Sequence, residues 1–70
     1  MQNERPSAKE SAKIAFPEAS EPQIEALTNL ANAVREGSNY NSYINDSRLD
    51  GLKKEYVVNF AVGQRPPIRH

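Results

Sequence analysis

The sequence predicts a small all-α unit of three helices, at about 8–15, 21–36 and 48–62, and three observations carry that reading. Ser7 with Glu10 and Ser20 with Gln23 both have capping-box spacing, in which a hydroxyl and an N3 side chain satisfy two orphan N–H groups. Ile24, Leu27, Leu30, Ala31 and Val34 recur at the helical period, leaving Glu25, Thr28, Asn29, Asn32, Arg35 and Glu36 on the polar side. Gly37 can adopt the left-handed conformation that closes a helix.

The segment 1–6 is polar and reads as a disordered leader to a single domain at 7–63. In the first helix Ala8, Ala12 and Ala15 share a face with Ile14 and Phe16 beside it; so short a helix needs tertiary support, expected through Ile14 and Phe16. Pro17 ends it by disfavouring helical geometry at Phe16. The central helix then starts at the Ser20 cap, with Pro22 where a missing N–H costs nothing and Glu21 at the positive end of the dipole.

After Gly37, SNYNSYIND reads as a loop with one helical turn around Tyr43 and Ile44, because Ser and Asn side chains compete with helical backbone hydrogen bonds. Asp46 and Ser47 offer a cap to the third helix. Along it Leu49, Leu52, Tyr56, Val57, Phe60 and Ala61 form a stripe, and Asp50 pairs with Lys54 four residues on. Gly51 and the β-branched run YVVNFAV oppose a helix, and the alternative is an α+β fold with a C-terminal hairpin turning at Asp50-Gly51. The helical stripe gathers more apolar side chains than strand alternation does, so helix is preferred. The tail at 64–70, with paired prolines, is expected to be extended or flexible, with Ile68 able to fold back.

Seventy residues supply one small core, drawn from Ile14, Phe16, Ile24, Leu27, Leu30, Val34, Ile44, Leu49, Leu52, Tyr56, Val57 and Phe60. A domain of this size has a stability margin of only about 3–5 kcal/mol, which makes homodimer formation a reasonable expectation. Nine basic residues balance nine acidic ones, arguing against affinity dominated by phosphate neutralisation. Without cysteine there is no disulfide framework, thiolate metal site or thiol nucleophile, and the small cysteine-free chain is expected to be cytoplasmic. No apolar run reaches the length of a signal sequence or a membrane span, so a soluble protein is expected.

Catalytic chemistry finds little to build on. The single histidine is His70, the last residue, and the three glycines are too scattered to cradle a phosphate. DSRLDG places Asp46, Asp50 and Gly51 at three positions of a calcium-loop template, yet Arg48 and Val57 stand where oxygen ligands are required. Neither an enzyme activity, a metal nor a cofactor is expected. A non-enzymatic protein–protein interaction module is, in the form of a small regulator or inhibitor of a larger protein. Tyr40, Tyr43 and Arg48 are its expected contacts and Arg35 a charged rim. The alternative is a homodimeric helix-turn-helix-like DNA-binding regulator. Ala33, Gly37 and Tyr43 have the spacing of that motif, and Asn39, Tyr40, Asn41 and Ser42 would begin its reading helix. Asn32, Glu36, Ser38 and Asp46 fall where the motif needs apolar contacts.

Overall fold

The computed structural model describes residues 6–65. Within them lie four α-helices, α1 (Ala8–Ala15), α2 (Glu21–Arg35), α3 (Asn41–Ile44) and α4 (Lys54–Gly63), with a 3₁₀ turn at Ser47–Leu49 and no strand. The all-α expectation holds and the hairpin at Asp50-Gly51 does not form. The expected leader at 1–6, except Pro6, and the tail from 66 onward, with Ile68, lie outside the described residues.

Local signals place the first two helices. The Ser7 hydroxyl accepts from the Glu10 N–H at 3.2 Å, and the Ser20 N–H donates to Gln23 Oε1 at 3.0 Å, with Pro22 in the first turn of α2. At the other end of α2, Gly37 has φ 78°, and the Ser38 N–H reaches Ala33 O at 2.9 Å while the Gly37 N–H reaches Val34 O at 3.1 Å. These two bonds are the Schellman pattern, which satisfies carbonyls the helix leaves open.

Helix α2 is the axis of the core: Leu27, Leu30 and Ala31 are wholly buried, with Ile24, Ala26 and Val34 nearly so. Against it α1 packs through Ala8 and Ala12, and Phe16 meets Phe60 edge-on at 5.7 Å between ring centroids. Ile14 is 66 % exposed, correcting the expectation that it would anchor α1. Small side chains let the two helix backbones approach closely, and the alanine face provides that closeness where an isoleucine would hold them apart. Tyr56, also expected in the core, is 55 % exposed, with Lys53 Nζ 5.9 Å from its ring centroid.

The third expected helix is divided. The Asp46 carboxylate accepts from the Arg48 N–H at 2.8 Å and caps only the 3₁₀ turn; the chain breaks at 50–53, and α4 starts at Lys54 rather than 48. At the break Gly51 lies so close to α2 that a Cβ there would come within 3.1 Å of Gln23 Nε2. Lys54 Nζ donates to Asn45 Oδ1 at 2.9 Å, in place of the expected i,i+4 pair with Asp50. Val57, Phe60 and Ala61 are buried, so core packing outweighs the strand preference of YVVNFAV.

Contacts at the helix ends fix the direction of each element. Arg35, at the end of α2, reaches Pro6 and Ser11 at the start of α1, so these helices are antiparallel. Arg35 also reaches Gln64 just beyond α4, whereas Gly51, just before α4, adjoins Gln23 at the start of α2. Helices α2 and α4 therefore run in the same sense, and the segment 38–53 carries the chain back along α2 between them.

Candidate functional site

The segment 38–53 carries most of the residues singled out from sequence, and its path decides which of them face solvent. The Schellman turn at Gly37 folds the chain back on α2, and Asn39 Oδ1 then accepts from the Asn41 N–H at 3.0 Å, setting up the single turn of α3. Tyr40 and Tyr43 are joined by a backbone bond, Tyr43 N–H to Tyr40 O at 3.1 Å. Their side chains diverge in fate. Tyr40 packs against the core beside Ile44, whereas Tyr43 is 40 % exposed.

Tyr43 forms one wall of an open groove of about 370 Å³, whose other lining residues are Asn29, Asn32, Ala33, Glu36 and Ser38. Asn29 and Asn32 on α2 and Glu36, the residue that caps its end in helical geometry, lie three and four residues apart and so share one exposed stripe. The groove offers two amides, a hydroxyl, a carboxylate and an aromatic face. That set can pair with the N–H and C=O groups of an extended peptide, accept from a donor or cation at Glu36, and stack on Tyr43. Of these, sequence reading singled out Tyr43 as a contact, and Ala33 only for its helix-turn-helix spacing. The i, i+3, i+7 spacing of Asn29, Asn32 and Glu36 was visible, but only the fold brings it beside the tyrosine.

Arg35, Tyr40 and Arg48 do not line this groove. Arg48 grips Asp46 through Nε to Oδ1 at 3.1 Å and Nη2 to Oδ2 at 2.8 Å, and reaches Glu25 at 3.4 Å through Nη1. The Arg48 side-chain hydrogen bonds, aided by its backbone N–H, hold the Asp46 carboxyl down at about 2 against an ordinary 3.8, and the same contacts raise the Arg48 guanidinium. Arg35 donates to Gln64 Oε1 at 2.9 Å, to Pro6 O at 2.8 Å and to Ser11 Oγ at 3.2 Å, tying three segments together. Of the residues considered for base reading, Asn39 has its side-chain oxygen engaged by Asn41, Tyr40 is against the core, and Asn41 and Ser42 are exposed on α3.

A second open groove, of about 360 Å³, lies where Lys9 of α1 faces Glu21, Pro22, Ile24, Glu25 and Thr28 of α2. Among the described residues no group of three or more His, Asp or Glu side chains could hold a metal ion, and no helix is long and apolar enough to cross a membrane. Compared with protein-family models, curated proteins and solved structures, the chain finds no match.

Proposed function

We propose that this protein is a non-enzymatic protein–protein interaction module, a small cytoplasmic regulator or inhibitor that engages a larger protein through the groove between α2 and α3. The observation that carries the reading is the exposure of Tyr43 at the groove wall, beside a stripe of Asn29, Asn32 and Glu36 that no core contact requires. Tyrosine combines large apolar area with few rotatable bonds and is enriched among residues that dominate binding. The partner segment is read as extended, with a basic or donor side chain to meet Glu36. The helix-turn-helix alternative is less favoured because α3 has only four residues, about 6 Å of helix, to present to a major groove about 12 Å wide.

The test is a parallel affinity capture from source-cell lysate with the native chain and with Tyr43→Ala, each with and without nuclease, after circular dichroism has established that the variant is folded. A stoichiometric protein held by the native chain through nuclease and lost with Tyr43→Ala supports the reading. Nucleic acid recovered in a salt-sensitive way overturns it in favour of DNA binding.

A further inference from the structure

Helix α4 ends beside the end of α2, and this fixes where the chain that follows leaves the body. Gln64 Oε1 accepts from Arg35 Nε at 2.9 Å. Two side chains meeting at their tips keep the Cα atoms of Gln64 and Arg35 within about 12 Å of each other. Glu36 is the next residue after Arg35, and Glu36 and Ser38 form the end of the Tyr43 groove nearest this point. Pro66 disfavours helical geometry at Arg65, so the helix is not continued.

The sequence goes on as Pro66, Pro67, Ile68, Arg69 and His70. From Gln64 to Arg69 an extended course covers about 15 Å, at about 3.1 Å per residue, and the arginine side chain adds about 6 Å. Glu36 is at most about 16 Å from Gln64, so it is within reach. The chemistry also matches. Adjacent prolines present carbonyl acceptors and no N–H, and the groove answers with donors: the Asn29 and Asn32 amides and the Ser38 hydroxyl, none of which has a hydrogen-bond partner among the described residues. Tyr43 supplies an aromatic wall, the kind of surface on which proline-rich segments dock. Glu36 is exposed and pairs with no cation among the described residues, while 66–70 carries Arg69 and no acidic side chain.

We propose that residues 66–70 of the same chain occupy the Tyr43 groove, with the prolines against Tyr43 and the Asn29–Asn32 amides and with Arg69 meeting Glu36. On the reading of this groove as the partner site, on which only the regulatory consequence rests, the segment is an intramolecular competitor. A partner segment then binds by displacing it.

The chain has no cysteine, so His70→Cys takes a single nitroxide whose paramagnetic broadening of backbone amide signals reports where the segment lies. Broadening is expected at Asn32, Ser38 and Tyr43 well beyond that at Ser7 and Ser11, which border the same end of the molecule on α1. Glu36→Lys should weaken the broadening at Tyr43 about two- to fivefold, and adding Arg69→Glu to it should restore the effect. Equal broadening on the two sides overturns the proposal, as does indifference to the charge exchanges. Broadening of an isotope-labelled chain by nitroxide on separate molecules shows a second copy's segment and overturns it too. The measurement needs no partner, so a docked segment in a chain that captures nothing through Tyr43 ends the partner reading alone. Where a partner is captured, Arg69→Glu by itself should raise its recovery about two- to fivefold, and unchanged recovery overturns the competition.

Discussion

Arg35 and Gln64, twenty-nine residues apart, meet at 2.9 Å, and through this bond the end of α2 holds the end of α4. Gln64 is only 8 % exposed, so its amide depends on protein partners for its hydrogen bonds. Replacing Arg35 by alanine leaves Gln64 Oε1 without that donor and also releases Pro6 O and Ser11. A loss of about 1–3 kcal/mol in urea unfolding is expected, a large part of a small domain's stability. Lysine should not restore it, since a single ammonium cannot reproduce the forked contacts of the guanidinium.

Ala12 and Ile14 exchange the roles that hydrophobicity assigns them. Ile14→Ser is expected to change the thermal midpoint little, because the side chain is already mostly in water. Ala12→Leu forces an added isobutyl volume into a site with no exposure and should cost about 1–3 kcal/mol by the same thermal measurement.

Tyr40 and Tyr43 separate folding from binding. Tyr40→Ala removes packing from the core edge and should lower stability by about 2 kcal/mol, while Tyr43→Ala should leave unfolding within about 0.5 kcal/mol of the native chain. Equal destabilisation by both would make Tyr43 a core residue and remove the basis of the groove reading.

Gly37 and Gly63 make a contrasting pair. At Gly37, with φ 78°, alanine should cost about 1 kcal/mol despite open space around the Cβ, because the backbone conformation is strained for an L side chain. Gly63 has ordinary backbone geometry and no atom within 4 Å of an added Cβ, so alanine there should raise stability by about 0.4–1 kcal/mol. Denaturant midpoints of the two variants check both signs.

Asp46 should titrate at about 2 by carboxyl-detected NMR, below its ordinary 3.8, because Arg48 binds the ionised form. A carboxyl held lower in the folded state than in the unfolded one favours folding above about 3.8 and loses that contribution as the pH falls towards 2. Asp46→Asn should therefore flatten the acid limb of the stability profile, and Arg48→Met should bring the carboxyl back towards 3.8.

The candidate site was half legible before the fold was known. Tyr43 stood out because an aromatic residue in a polar Asn-Ser run has no local reason to be there. Its partners Asn29, Asn32 and Glu36 read as the solvated back of a helix, since nothing local says what will lie over that stripe. Arg35 and Arg48 looked like surface cations. Arg35 holds Gln64, twenty-nine residues away, which spacing could not show; Arg48 holds Asp46 only two residues away, and its reach to Glu25 depends on the fold.

What the sequence determined by itself is what neighbouring residues can enforce: the Ser7 and Ser20 starts, the Gly37 stop, and the buried stripe from Ile24 to Val34. Each is decided within one or two helical turns, where capping and periodicity act. Tertiary structure decided the rest. The parallel course of α4 along α2, the division of the expected helix at Gly51, and the choice of alanine over Ile14 for the α1 contact all depend on surfaces distant in the chain. Burial energy and close approach between those surfaces, rather than local preference, select the final arrangement.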